Sequence, residues 1–369
     1  MNKIDFVIIG AGPGGISTAI HLLKMKKNVL VIDKATFPRN KLCGGLLTLP
    51  AIKEIQQLGV ELDPHIFKPL YSIHVITPQH KLLIPLDNPF YLIDRYIFDN
   101  LLLNTYKSLG GKVIEGQRVT KIEGDLVHLV DHTTIPFHFL IGADGALSLV
   151  RKYINPHNYQ PEGFCVGNTS YQGAPNALEE GINLFFGIAR TGYGWVFNSG
   201  NSFYTVGIAG EKKEKNFVKK YETFCSTYGL DERNKKGACI PYGTKAQLLS
   251  KGNIYLVGDA ASLVDPLIGE GIYPSLYSGR MLAESFAREG DTHKNYRASL
   301  KTILKNNQWA FRLRPFVLSK GFVKFLVYMH KNHPQSVRYA FDRLILKKDL
   351  SYNQGFTLYK KYQKEKRIQ

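Results

Sequence analysis

Acid, cysteine and long apolar runs are what this 369-residue chain has little of. Four cysteines, Cys43, Cys165, Cys225 and Cys239, stand too far apart for metal-ligand spacing or a disulfide framework, so free thiols in a reducing interior are expected and no metal site is. No stretch approaches the roughly 18 consecutive apolar residues that span a bilayer. Low-complexity tracts and internal repeats are also missing, and the first residues show no signal-peptide pattern, so the expectation is a cytoplasmic globular protein. Thirty Asp and Glu face 48 Lys and Arg, a net charge of +18, concentrated in Glu211 to Lys220 and in the segment after Arg297. No nucleic-acid motif accompanies this charge and aromatics do not interleave with the lysines, which argues against nucleic acid. Two readings remain for the excess: a solvated basic surface, or attraction to an anionic membrane, with the protein peripheral at the inner membrane surface.

What the chain does have is concentrated first in Lys3 to Lys34. An apolar run, Phe6 to Ile9, leads into Gly10-x-Gly12-x-x-Gly15, then a periodic apolar segment from Ile16 to Met25, then a second apolar run, Val29 to Ile32, ending at Asp33. The pattern predicts strand, tight turn, helix, strand. Gly10 permits the sharp turn, Gly12 lets a pyrophosphate approach the backbone, and Gly15 lets helix pack on strand. The phosphates would sit on the helix N-terminus, and Asp33, 18 residues after Gly15, would accept hydrogen bonds from a ribose hydroxyl. With Pro13, Gly14 and Lys34, these form a candidate site for a dinucleotide with free ribose hydroxyls, FAD or NAD.

The next segment, Pro38-Arg39-Asn40-Lys41-Leu42-Cys43-Gly44-Gly45, resembles the P-R-x-K-x-C-G-G element of the geranylgeranyl reductase family, FAD-dependent oxidoreductases of the para-hydroxybenzoate hydroxylase type. The resemblance implies that Arg39 and Gly44 lie at the cofactor and that Cys43 lies near flavin and substrate, as a proton donor; packing as a small buried hydrophobe is the alternative. Arg95, with Phe98 and Asp99, matches an R-x-x-F-D element whose arginine lies near the flavin pyrophosphate; a surface salt bridge is the alternative. Arg95 is expected just ahead of a helix. Gly142-Ala143-Asp144-Gly145, with Ser148, Val150 and Arg151, resembles a second fingerprint, in which Asp144 supports the FAD site or caps the following helix.

Tyr71 to Pro85 reads as an antiparallel hairpin, and residues 182–210 as three strands joined by tight turns. Among these, Tyr193-x-Trp195-x-Phe197 resembles the family's Y-x-W-x-F-P element, with Asn198 in place of the proline. The three rings alternate and so face one side of a strand, where Tyr193 and Trp195 would wall a substrate cavity. Gly258-Asp259, Pro266, Gly269, Glu270, Gly271 and Ile272 resemble a third fingerprint, G-D-A-A-x-x-x-x-P-x-x-G-E-G, with the aspartate on the ribityl chain and a helix pointing its N-terminus at the flavin.

The expected architecture is α/β: a Rossmann-like FAD-binding domain of the para-hydroxybenzoate hydroxylase type (residues 1–70, 92–155 and 250–290), an inserted β-sheet-rich substrate domain (71–91 and 156–249) and a helical C-terminal tail (291–369). The resemblance implies reduction of C=C bonds in a prenyl or other lipid-like substrate, with NAD(P)H or a ferredoxin-like protein as reductant. An FAD-dependent monooxygenase or halogenase acting on an aromatic small molecule is the rival of the same fold. The basic, apolar tail is a candidate for peripheral membrane contact.

Overall fold

The computed structural model describes residues 4–156, 162–175, 178–200, 203–243 and 248–357; Lys3 of the opening unit and residues 358–369 of the tail lie outside them. Ile4–Ile9, Pro13–Lys24 and Val29–Ile32 form the strand, helix and strand that the glycine pattern demands. Pro13 opens the helix, where its fixed φ suits the first turn and its missing N–H costs nothing. Ile16, Ala19 and Ile20 are fully buried against the sheet. The two strands pair in parallel, and Thr134–Gly142 pairs in parallel on the other side of the first, with Ile9 opposite Gly142. Ile254–Leu256 follows, Leu256 also opposite Gly142. Three strands from distant parts of the chain therefore end level, and the loops that carry the three fingerprints leave the same edge of one sheet, where open α/β sheets bind ligands.

The helix Ile272–Ala287 crosses the opening helix and buries Leu276 and Leu282 there, and the Ser17 hydroxyl donates to the Leu276 carbonyl at 2.7 Å. A helix, Leu49–Gln57, follows the Cys43 segment. Arg95, expected ahead of its helix, is instead the first residue of Arg95–Ser108, because Asp94 takes the N-cap and accepts the Tyr96 N–H at 2.9 Å.

A second sheet runs in the order Lys236–Ile240, Gly163–Ser170, Tyr204–Glu211, Tyr193–Asn198, Gly181–Phe186, Lys68–Ile76, Lys81–Leu92, Leu46–Leu47. The predicted hairpin is Lys68–Ile76 with Lys81–Leu92, longer than its sequence signal; Leu92 at its far end pairs with Leu46. Asn198, where the related motif has proline, ends its strand and bridges the turn: its carboxamide donates to the Leu178 carbonyl and accepts the Gly200 N–H at 2.9 Å. A proline could make neither bond. Helices Lys301–Val317, Lys320–Asn332 and Pro334–Phe341 follow, and Val323, Val327, Val337 and Leu346 pack into one core with Leu82 and Leu92 of this sheet. Among the described residues no helix is long and apolar enough to cross a membrane.

The tightest point of the first sheet gives a test. Gly10 has φ +108°, and a Cβ there would lie 2.3 Å from the Ala143 carbonyl oxygen, so Gly10→Ala is expected to cost about 3 kcal/mol or more, read as a lowered unfolding midpoint in denaturant. An unchanged midpoint would show that the two strand ends do not depend on this approach.

Candidate active site

The three fingerprint loops close around one end of a cavity of about 1120 Å³. Gly12, Pro13 and Gly14 line it at the first turn of the opening helix, whose N-terminus carries no side-chain cap and no acid. A Cβ on Gly12 would meet nothing nearer than the Arg39 guanidinium at 3.9 Å, so the backbone is open on that face. Gly15 is shut in: a Cβ would stand 1.9 Å from the Gly10 carbonyl. Lys34 lines the cavity, whereas Asp33 stands just behind it and grips the turn, accepting the Ala11 and Ala35 N–H groups at 2.7 and 2.8 Å. Asp144 takes the Ser148 hydroxyl at 2.5 Å and the Leu149 N–H at 2.6 Å, so the carboxylate does cap the next helix, and it also lines the cavity. Burial raises its pKa against those donors.

From the third loop, Gly258 and Asp259 line the cavity, and a Cβ on Gly271 would lie 3.1 Å from Asp259 Oδ1. Among the described residues no donor meets the Asp259 carboxylate, which leaves its oxygens for a ligand. The helix Ile272–Ala287 begins here, again without side-chain cap or first-turn acid. Gly269, Gly271 and Ile272 line the cavity and Pro266 lies behind it. Two uncapped helix N-termini, an open glycine face and an unpartnered carboxylate on one cavity fit a dinucleotide carrying a pyrophosphate and a polyhydroxyl chain.

Arg95 is no surface salt bridge. It is buried, lines the cavity, and bonds Asp99 twice, at 2.6 and 2.7 Å, while Arg39 reaches the same wholly buried carboxylate at 3.1 Å. Two guanidinium groups on one carboxylate leave a net positive charge behind the cradle. Burial works against the charge on Arg95, but Asp99 and then Cys43 outweigh it and raise its pKa. Cys43 is half-buried, lines the cavity and accepts the Gly45 N–H at 3.3 Å. The turn is tied to the second sheet by the Thr205 hydroxyl, 2.8 Å from the Gly44 carbonyl.

Beyond Cys43 the cavity continues between the second sheet and the C-terminal helices. Tyr193, Trp195 and Phe197 all face it, as their alternation requires, and the Tyr193 hydroxyl donates to the Ile268 carbonyl at 2.7 Å, fastening the wall to the third fingerprint loop. The lining runs on through Leu313, Val317, Phe322, Leu326 and Phe341. Cys165 and Cys239, remote from Cys43 in sequence, face the same space, and burial pushes the Cys165 thiol up to about 12.

The sequence reading missed what holds the third loop from behind. Glu270, a candidate cofactor residue, gives one carboxylate oxygen to the Thr48 hydroxyl at 2.6 Å and the other to Lys348. Lys348 also lies 3.2 Å from Asp265, whose carboxylate accepts the Tyr352 hydroxyl at 2.8 Å. Burial would discharge Lys348, but Glu270 and Asp265 outweigh it and raise its pKa. The Glu270 carboxylate is thus spoken for by the protein, leaving the backbone of this loop to meet a ligand. The sequence signal was faint: one acid before Pro266 and one lysine far along the tail.

Fold and site define an FAD-dependent oxidoreductase with the para-hydroxybenzoate hydroxylase-type fold, and a family model for the FAD binding domain matches residues 3–165. The chain belongs to the geranylgeranyl reductase family of these flavoproteins. It is 32% identical over 300 residues to an uncharacterized protein of Methanosarcina barkeri, covering 77% of this chain and 74% of that one. Identity to the menaquinone reductase of Mycolicibacterium smegmatis is 28% over 335 residues (83% and 81%), and to digeranylgeranylglycerophospholipid reductase 2 of Methanosphaera stadtmanae 26% over 323 residues (80% and 81%). Among solved structures, a geranylgeranyl bacteriochlorophyll reductase-like protein of Thermoplasma acidophilum superposes with a TM-score of 0.70 at 18% identity (87% of this chain, 90% of that one). The flavin-dependent brominase Bmp2 superposes with a TM-score of 0.73 at 17% identity over 100% of both chains. At such identities the structures establish the fold alone.

Removing Asp99 would leave Arg95 charged, buried and unpaired. Asp99→Ala is expected to lower stability by about 3 to 5 kcal/mol and to release FAD during gel filtration. Wild-type stability with full FAD retention would show that the pair supports neither.

Proposed function

We propose that this protein reduces C=C bonds of a prenyl-bearing lipid. The observation that carries the reading is the single cavity that passes from the dinucleotide cradle, beside Cys43 and the aromatic wall, into an apolar passage under the C-terminal helices. Such a passage suits a long hydrocarbon, which gains from each methylene removed from water and asks for no hydrogen bonds. Relatives whose names specify menaquinone and digeranylgeranylglycerophospholipid reduction support it.

FAD in its reduced form supplies the hydride that this reaction needs. The residues that would hold it are Gly12, Pro13, Gly14, Asp33, Lys34, Arg39, Gly44, Arg95, Asp144, Gly258, Asp259 and the backbone from Gly269 to Ile272. Cys43 Sγ stands at the junction of cradle and passage and is the group that would protonate the second alkene carbon. The thiolate left behind would stand beside Arg95, a cation that does not deprotonate. Tyr193, Trp195 and Phe197 orient the chain and exclude water, which an unactivated alkene requires. Residues 71–91 and 156–249 serve as the substrate domain in this reading, and NAD(P)H or a ferredoxin-like protein as the reductant.

Delivery of such a substrate favours contact with a bilayer. Phe316, Phe325 and Tyr328 are more than half exposed on the two helices that line the passage, Phe316 and Phe325 at its edge, and Lys320 and Lys324 stand exposed among them. Apolar rings ringed by lysines on a chain of net charge +18 match an anionic membrane surface.

Anaerobic mixing of the dithionite-reduced protein with a geranylgeranyl lipid is expected to reoxidise the flavin and add two hydrogens per double bond by mass. Flavin that stays reduced until O₂ enters, with oxygen then appearing in a product, would replace this reading with the monooxygenase one. Cys43→Ala should keep FAD and lose at least about 100-fold in alkene reduction; undiminished turnover would remove the proton-donor role. Phosphatidylglycerol vesicles should sediment the protein at low salt, and Phe316→Ser with Phe325→Ser should weaken this several-fold, whereas equal sedimentation by neutral vesicles would count against the charge match.

A further inference from the structure

Trp195 is buried, with only 6% of its surface exposed, yet its indole N–H has no hydrogen-bond partner among the described residues. Buried tryptophan N–H groups ordinarily find an acceptor, and one left without is a group awaiting something the chain does not supply. Two hydroxyls on the same cavity are served by the protein: that of Tyr193 by Ile268 and that of Tyr352 by Asp265. On the adjoining Cys43 turn the Gly44 carbonyl accepts the Thr205 hydroxyl and not the indole.

The position of this free donor is informative. A Cβ on Gly44 would lie 3.5 Å from Trp195 Nε1 and 2.7 Å from the Phe197 ring, and a Cβ on Gly207 would touch the far edge of the indole. The N–H therefore sits next to the Cys43 turn, at the inner end of the substrate passage. Of the cations on this cavity, Arg95 is committed to Asp99, and Lys41 lines the wall two residues before Cys43. From there outward the passage is hydrocarbon: Leu313, Val317, Phe322, Leu326 and Phe341.

We infer that Trp195 donates to an uncharged carbonyl oxygen on the substrate, and that the substrate is a prenylated quinone bound ring-inward beside Cys43, its tail running out between the second sheet and the C-terminal helices. The inference rests on the prenyl-reductase reading and specifies its substrate class. A single N–H donor in an apolar pocket suits a ketone oxygen, which has one acceptor function and no charge to desolvate. A phosphate-headed lipid would have to leave its head outside and thread its tail inward, which brings hydrocarbon, with no acceptor, against the indole N–H. The inward polarity of the passage thus separates the two kinds of molecule named among the relatives.

The test is binding to the oxidised holoenzyme, followed by the perturbation of flavin absorbance, of two ligands with the same geranylgeranyl tail: a 2-methyl-1,4-naphthoquinone and the naphthalene that lacks both oxygens. The native protein is expected to bind the quinone about 5- to 10-fold more tightly, and Trp195→Phe, which keeps a ring but removes the donor, to abolish that difference while the flavin spectrum and FAD affinity stay as they were. Equal affinities in the native protein, or a preference that survives in Trp195→Phe, would overturn the assignment. A loss of FAD affinity or a shifted flavin spectrum in the variant would give the N–H to the cofactor and overturn it too. Reduction of a geranylgeranyl glycerophospholipid with no reduction of the quinone would overturn the substrate class while leaving prenyl reduction standing; two hydrogens gained by neither would fail the parent reading instead.

Discussion

The architecture depends on one close approach. Two parallel strands, Ile4–Ile9 and Thr134–Gly142, arrive side by side, and the Ala143 carbonyl occupies the space where any residue but glycine at position 10 would carry a Cβ. The Ala143 N–H in turn bonds the Ile9 carbonyl at 2.8 Å, so the loops that follow leave the sheet as a joined pair. Gly15 tucks the helix against the same point. Everything that meets the cofactor is placed relative to this corner: the open face of Gly12, the Asp144 cap and, one strand further, the Gly258–Asp259 turn.

Around that corner the charges are arranged in closed groups. Arg39 and Arg95 share Asp99, and Lys348 shares Asp265 and Glu270, so these buried cations have their partners within reach. Such sets add little net stability, because desolvation consumes most of their attraction. Their use here is positional. One fixes the approach to Cys43, the other fixes the loop that carries the second helix N-terminus. With charge confined behind the walls, the passage beyond can be hydrocarbon almost throughout.

Sequence alone revealed what is local. Glycine positions report backbone demands that a few neighbouring residues decide, which is why three loops could be recognised and their strands placed within a residue or two. Alternation of Tyr193, Trp195 and Phe197 reported a shared face because strand geometry fixes it. Pairing over long separations left no such trace. Nothing near Asp265 announces Lys348 or Tyr352, 83 and 87 positions away, and three cysteines that looked scattered share one cavity because the sheet brings their strands together. Arg95 slipped from loop into helix since a cap is decided by a competition one residue wide. The unserved N–H of Trp195 is invisible to pattern altogether: it is an absence created by packing.

The hydrogen bond from Ser17 to Leu276 spans 259 positions and fastens the opening helix to the helix that completes the cofactor cradle. The sheet itself is equally discontinuous, since the strand beside Thr134–Gly142 is not reached until Ile254. During synthesis the first Rossmann unit therefore emerges with its partner helix still unmade, and most of the chain must leave the ribosome before the cradle can close. Contacts so remote slow the final assembly and leave apolar sheet surface uncovered meanwhile. Cofactor capture belongs to the end of biosynthesis for this protein, and a chain cut short before residue 272 would expose that surface permanently and be matter for chaperones and proteases.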